Sequence, residues 1–244
     1  NTVIKGTPLQ NSINVNDEYF ITGKSDLLPR ASIMPIGKQK IKEKNATIKV
    51  KDKEDVEVEL LYSIHGPVTF IDTERKKAYA IKNGWSEIGG SPYLASLRMD
   101  QAKNWEEFRD ACTYFNIPGE NMVWADKYGD IGWQAVGIAP IRKSHSGLVP
   151  VNGNGKFDWD GYLPIIEKPN LYNPEKGYIS TANQNVTPDD YKRWDAIGFD
   201  WSDPYRGNRI NTIFDSKDKF NIDEMMDLQV DYFSVCLLYT SPSP

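Results

Sequence analysis

The residues between positions 150 and 210 are the part of the sequence most suited to building a chemical site. They combine turn residues and aromatic residues with an Asn-rich run, GYISTANQNV (177–186), and end on a paired-arginine element, YRGNRI (205–210). Long loops rich in Trp, Tyr and Asn more often form one wall of a site than merely connect elements. We therefore expect a site here, although the residues alone favour an ordinary turn role for Asn183.

The patterns of the common hydrolases are absent from the sequence. Its two histidines lie outside any H-x-x-H context, which disfavours a zinc hydrolase, and no G-x-S-x-G motif supports a Ser-His-Asp triad. His65, in SIHGPV, has no acid, Ser or Cys positioned to form a dyad with it, so we interpret it as structural. His145 lies in a polar loop and is expected to be exposed. There is no G-x-G-x-x-G motif and no P-loop.

The composition is that of a globular protein. Of the 244 residues, 39% are hydrophobic and 26% charged, the net charge is −5, and nothing in the sequence forms the basic stripe that nucleic-acid binding needs. We interpret the lysines of KQKIKEKNATIKVKDK (38–53) as the solvated face of a strand pair. The sequence contains no run of 18 apolar residues, so it predicts no membrane-spanning helix. Two cysteines are too few for a disulfide scaffold, and Cys112 is expected to be a small core residue.

The hydrophobic pattern predicts strands first, then a helix, then further strands. Strand signals lie in EYFITG (18–23), ATIKV (46–50), VEVELLYSIHG (56–66) and AYAIK (78–82). In the third of these, Val56, Val58 and Leu60 share one face and predict a half-buried strand.

The second half of the chain begins with a helix predicted over 104–116, with Asn104 as the N-cap and an apolar stripe of Trp105, Phe108, Ala111, Cys112 and Phe115. A hairpin follows over 122–137, turning at Tyr128-Gly129-Asp130, and extended structure over 177–182. Helices are then predicted near Asn208 and within NIDEMMDLQVDYFS (221–234). This order is typical of an α+β fold with mostly antiparallel sheets.

Five pieces of sequence in a fixed order carry a family resemblance. They are HGP (65–67), AKNWEEF (102–108), W-A-D-x-x-G-D-I-G (124–132), P-V-x-G-x-G-K-F-D-W-x-G-x-L-P (150–164) and Y-N-P-x-x-G-Y-I (172–179). Each is weak alone, but together they resemble the middle of the β-chain of the penicillin acylase family over most of residues 50–215. The resemblance implies an αββα sandwich, in which two stacked antiparallel sheets lie between helical outer layers, and only part of which is present here.

The same resemblance implies an amide hydrolase with an N-terminal nucleophile, released from a zymogen by an autocatalytic cut. The first residue of the β-chain, a Ser, attacks the amide, and its own α-amino group, with an ordinary pKa of ~7.7–8.0, serves as base. The substrates are small acyl amides of a β-lactam nucleus, a lactone amine or a similar amine, and no cofactor takes part in the chemistry.

Three residues match positions with roles in that family. Asn183 matches the Asn whose side-chain amide donates to the oxyanion, with Asn185 as the alternative if the register shifts by two. Arg209, in GNRI, matches the arginine that supports the site. Asp195, in YKRWD, lies where calcium-binding members place a carboxylate ligand, so the resemblance allows a structural calcium ion, for which one carboxylate is thin support.

The start of the chain departs from the family pattern. Asn1 is not Ser, Thr or Cys, and Thr2 has no free α-amino group, so the nucleophile is expected some tens of residues upstream. We expect an internal piece of a longer protein, inactive alone, whose partners are an α-chain and the N-terminal part of the β-chain. The family resemblance implies a periplasmic or secreted location. The alternative interpretation is a non-catalytic, β-rich module that binds glycans or proteins.

The end of the chain is also unusual. VCLLYTSPSP resembles the translation of a sequencing-adapter read-through, so we expect residues 1–235 to form the partial domain and residues 236–244 a non-native tail. A natural Ser/Pro-rich linker is the alternative.

Overall fold

The computed structural model describes residues 12–16, 42–75, 77–84, 94–142, 144–198 and 201–240. The predicted strand at 18–23 lies outside these residues. The strands are β1 (Ser12–Asn16), β2 (Lys42–Ile48), β3 (Val56–Ser63), β4 (Gly66–Asp72), β5 (Lys77–Lys82), β6 (Asn121–Ala125), β7 (Ile131–Ala135), β8 (Ala139–Pro140), β9 (Val151–Asn152), β10 (Tyr162–Leu163) and β11 (Asn170–Tyr172). The helices are α1 (Ser96–Met99), α2 (Trp105–Cys112), α3 (Tyr205–Phe214), α4 (Ile222–Gln229) and α5 (Val235–Thr240).

The strands of the described residues form three sheets. The largest has the order β2-β3-β4-β5-β1-β9, the second the order β11-β7-β6, and the third pairs β10 with β8. Every strand pair is antiparallel except β1 with β9. Helices combined with mainly antiparallel sheets make the chain an α+β protein, as the sequence pattern predicts.

Helix α2 forms because its cap and its apolar stripe agree. The side chain of Asn104 accepts a hydrogen bond from the backbone N–H of Glu107, and two glutamates occupy the first turn. All five residues of the predicted stripe are buried: Trp105, Phe108, Ala111, Cys112 and Phe115. The helix prediction is thus confirmed, with an end at Cys112 because the next three N–H groups bond to carbonyls three residues back.

The hairpin β6–β7 packs against α2 through a glycine. A side chain at Gly132 would collide with the Trp105 ring, so the missing Cβ allows the helix to lie directly on the strand. At the turn, Gly129 has a φ of 99°, and the Asp126 side chain accepts from the N–H groups of Tyr128 and Asp130. The predicted hairpin and its turn residues are confirmed.

Two strand predictions need correction. Residues 177–182 do not form a strand, because the side chains of this segment form hydrogen bonds with residues of helix α3 and its C-terminal end. Tyr178 donates to Asp215, and Ser180 donates to Asn211. The predicted half-buried face of β3 is also wrong in part, because Val56 and Leu60 are exposed and only Val58 is partly buried.

The C-terminal helices follow the predicted pattern. Helix α3 covers the region of Asn208, and α4 begins with a capping box in which Asn221 and Glu224 exchange hydrogen bonds. Helix α5 lies across the expected domain boundary at residue 235. Among the described helices, none combines the length and apolar character that crossing a bilayer requires.

Candidate active site around Asn183

Asn183 lies in a tight, left-handed turn between the segment 177–182 and helix α3. Its φ is 66°, a conformation that Asn tolerates better than most residues. Its backbone carbonyl accepts from the N–H of Ser202 at 2.9 Å. The turn therefore holds the Asn183 backbone in place and leaves the side chain to point outward from the fold.

Arg206 fixes the orientation of the Asn183 amide. Its Nη2 donates to Asn183 Oδ1 at 2.7 Å and to the carbonyl of Ala182 at 2.9 Å. A guanidinium can only donate, so the atom of the amide that faces it must be the oxygen. The NH₂ group of Asn183 is then directed away from Arg206, and it has no acceptor among the described residues. This leaves a neutral hydrogen-bond donor at the surface of the turn.

Gln184 holds the turn against helix α3. Its Oε1 accepts from the N–H of Ala182 at 2.6 Å, and its Nε2 donates to the carbonyl of Ser180 at 3.4 Å. The Gln184 amide lies where a side chain on Gly207 would have to go, because an added Cβ would be 2.6 Å from Gln184 Cδ. Gly207 thus permits the close approach that positions the turn.

A cavity of about 120 Å³ lies beside this turn. Asn183 lines it, together with residues from the start of β6, from β7 and from the loop that precedes β11. Lys168, Glu120 and Asn116 are among the polar residues of its wall. The free amide donor of Asn183 and a space for a ligand therefore occur together.

The alternative residue, Asn185, has a different role. Its Oδ1 accepts from the N–H of Thr187 at 3.0 Å, as in an ordinary Asx turn, and it does not line this cavity. Since residues 177–182 are not a strand, the alternation of faces along a strand does not relate Asn185 to Asn183. Of the two asparagines, only Asn183 combines a free donor with a place in the cavity wall.

Arg209 lies one turn further along α3 than Arg206 and contacts other residues. Its Nε donates to Asp231 at 2.7 Å, and its guanidinium lies 4.4 Å from the centroid of the Phe233 ring. The structure thus brings Arg206, rather than Arg209, to the side chain of Asn183. The paired-arginine pattern is the signal that could have pointed to Arg206. Residues three apart lie on neighbouring turns of one helix face, so Arg206 was as good a candidate as Arg209 for contacting the site.

Comparisons with known proteins identify the family of the chain. The sequence profile of the family described as penicillin amidase matches residues 23–238. The chain belongs to the penicillin amidase family. It is 32% identical over 191 residues to penicillin G acylase of Escherichia coli, a match covering 78% of this chain and 22% of that protein. It is 31% identical over 180 residues to acyl-homoserine lactone acylase QuiP of Pseudomonas fluorescens, covering 70% of this chain and 21% of that protein.

A solved structure of the family has a similar fold. The thermostable penicillin G acylase from Alcaligenes faecalis aligns with a TM-score of 0.71 and 25% identity, over 92% of this chain and 39% of that one. The chain spans about a fifth of the length of the curated relatives it matches.

The described residues do not by themselves fit a calcium site. Both oxygens of Asp195 accept from Arg193, at 3.0 and 3.2 Å, so the carboxylate is already paired. Within the described residues, no group of three or more His, Cys, Asp or Glu side chains could hold a metal ion. Calcium prefers six to eight oxygen ligands, and Asp195 could act as one only if the others came from elsewhere.

The two histidines differ from the sequence interpretation. His65 is buried, and its Nε2 lies 2.8 Å from Asp158 Oδ1, so an acid does pair with it, 93 residues away in the sequence. Ser63 is not the third member of a triad, because its Oγ donates to the Gly66 carbonyl and accepts from the His65 N–H. His145 is half-buried rather than exposed, with Nε2 3.1 Å from the Phe157 carbonyl oxygen.

Proposed function

We propose that this chain is part of the β-chain of an N-terminal-nucleophile amidase, which hydrolyses linear amides between an acyl group and a β-lactam nucleus, a lactone amine or a similar amine. The nucleophilic Ser and the α-chain lie outside this sequence. The observation that supports this proposal is the oriented NH₂ group of Asn183 beside a cavity, in a chain of the penicillin amidase family.

In the proposed reaction the Ser hydroxyl gives its proton to the α-amino group of the same residue, and its oxygen bonds to the amide carbon. The carbonyl electron pair moves onto oxygen and forms an oxyanion. The C–N bond then breaks, the amine leaves with the proton, and an acyl-enzyme ester remains. Water hydrolyses this ester by the same route, with the α-amino group again as the base.

The part of Asn183 in this reaction is to donate to the oxyanion. A neutral amide stabilises negative charge without competing with the α-amino group for a proton, as a Lys or His could. Arg206 supports this role by holding Oδ1 at 2.7 Å, since the orientation of the NH₂ group then costs nothing during the reaction. The role of Arg209 is proposed as structural support of helix α3 through Asp231.

The proposed architecture of the whole domain is the αββα sandwich, to which this chain contributes its sheets and the helices α2 and α3. The alternative function, a non-catalytic module that binds glycans or proteins, has little support from the tryptophan residues. Every tryptophan in the described residues is buried or half-buried, whereas a sugar-stacking platform needs an exposed ring.

The test is the substitution Asn183→Ala in the full-length, processed protein. Loss of one oxyanion donor typically removes roughly 2.7–4 kcal/mol of transition-state stabilisation, so we expect turnover of an acyl amide to fall ~100- to 1000-fold. Substrate binding should change only a few-fold, because the donor acts mainly on the transition state.

Asn185→Ala is the matched control, since it removes a neighbouring Asn that caps a turn and should change turnover much less. Near-normal turnover of Asn183→Ala would show that the oxyanion donor is elsewhere. The 244 residues alone should release no amine above background, and measurable turnover by them would disprove the upstream nucleophile.

A further inference from the structure

Lys168 is a buried cation in the wall of the cavity beside Asn183. It lies just before β11 and is 7% exposed. Its ammonium group donates to the carbonyl oxygens of Val136 at 2.6 Å and Gly137 at 2.9 Å, where the chain leaves β7. An ammonium has three N–H bonds, so these two carbonyls leave one of them unused.

Lys168 has no anionic partner in the part of the chain that the structure describes. The two carbonyl dipoles compensate only part of the cost of burying a charge, because a buried cation is stabilised well only by a paired anion. The same burial lowers the pKa of Lys168 to about 7. An anion that entered the cavity would therefore gain a strong, desolvated partner.

The wall of the cavity contains a second charged residue. Glu120 also lines it, and this carboxylate is exposed, in contrast to Lys168. A volume of about 120 Å³ holds a carboxylate on a short chain, whereas pockets for whole drug-sized ligands measure roughly 300–1,000 Å³. The space thus suits the charged end of a substrate rather than all of it.

We propose that Lys168 is a specificity-determining residue, which binds a carboxylate carried by the amide substrate while Asn183 donates to the oxyanion. This inference rests on the proposed amidase function and names a substrate class within it. The carboxylate belongs either to the acyl group, as in a dicarboxylic monoamide, or to the leaving amine, as in an N-acyl amino acid. The chemistry at Lys168 is the same in both.

The experiment compares four amides in the full-length, processed protein: a glutaryl amide, an N-phenylacetyl amino acid, and the methyl ester of each. We expect Lys168→Met to lower kcat/KM about 10- to 100-fold for one of the two acids, because a charge-assisted hydrogen bond is lost, and less than ~3-fold for its ester. The affected pair identifies the source of the carboxylate. Equal losses for an acid and its ester in both pairs would overturn the proposal.

Glu120→Gln is the control variant, because it removes a charge from the same cavity without removing the cation. It should not lower kcat/KM for the acids. A loss selective for the acids would contradict the assignment to Lys168.

A second measurement does not depend on how well the Lys168→Met variant folds. In the unaltered protein, the ratio of kcat/KM for the preferred acid to that for its ester should fall as pH rises through about 7, since the pKa of Lys168 lies there and only the ammonium form binds the carboxylate. The other charged side chains near Lys168 are Glu120 in the wall of the same cavity, its sequence neighbour Glu167, and Arg109, which donates to the carbonyl of Ile166.

A ratio that is constant over that range would overturn the inference. The failure of the proposed function has a different signature, namely that the unaltered protein cleaves none of the four amides.

Discussion

Two regions of this chain are held together by different kinds of contact. Helix α2 and the hairpin β6–β7 meet through apolar rings: the ring centroids of Phe108 and Trp124 are 5.2 Å apart, and the Trp105 ring lies against Gly132. The turn around Asn183 has few such contacts. It is held to helix α3 by the polar side chains of Arg206 and Ser180, and Gln184 closes the turn itself by accepting from Ala182.

The two regions should therefore contribute to different properties, the α2 region to stability and the Asn183 turn to function. Burial of apolar area is the main stabilising contribution to folding, so most of the free energy of unfolding in this part of the chain should come from the α2 region. Each polar contact of the Asn183 turn contributes only about 0.5–1.5 kcal/mol. These contacts have a directional role, because they fix where one amide points.

The largest effect on stability is expected from Trp105→Ala. The side chain is 6% exposed and fills the gap over Gly132, so its removal should lower the free energy of unfolding by about 3–5 kcal/mol. Denaturant unfolding of the full-length protein measures this. A loss below ~1 kcal/mol would mean that the α2 region is not the stabilising one.

The next effect in size is expected from Arg206→Ala, and it should fall on activity. Without the guanidinium, the Asn183 amide can rotate, and turnover should drop about 10- to 100-fold with a small change in unfolding free energy. Arg209→Ala is the matched control one helical turn away, and it should mainly affect stability, since it breaks the pair with Asp231. If Arg209→Ala reduces turnover more than Arg206→Ala does, Arg209 is the supporting arginine.

The smallest effect is expected from Gly207→Ala. The new Cβ would displace the Gln184 amide, which ties Ala182 and Ser180 together, so turnover should fall about tenfold. Stability should change by less than ~1 kcal/mol, because Ala favours a helix over Gly and offsets the collision. Comparing kcat with the thermal midpoint of unfolding of the same samples tests this. A fall in the midpoint without a fall in kcat would mean that Gly207 contributes to stability rather than to the position of Asn183.

The α2 region was predictable because its determinants are local. An Asn cap, first-turn acids and apolar residues at helical spacing all lie within twelve residues or so of each other. The Asn183 segment misled the same reasoning, since GYIST has strand-like residues, yet its side chains bond to α3 about 30 residues later. Propensity is a weak guide where long-range polar contacts compete with it.

The sequence by itself determined the family, the α+β class, helix α2, the hairpin and the candidate Asn183, because each is encoded in short-range spacing or in an ordered series of motifs. Only the tertiary structure decided that Arg206 rather than Arg209 contacts Asn183, that Asp158 pairs with His65, and that Lys168 is a buried cation beside the same cavity. Such contacts join residues that are far apart along the chain or choose between neighbours on one helix. Neither relation leaves a periodic signal in the sequence, because the partner is selected only when the folded chain brings the two side chains together.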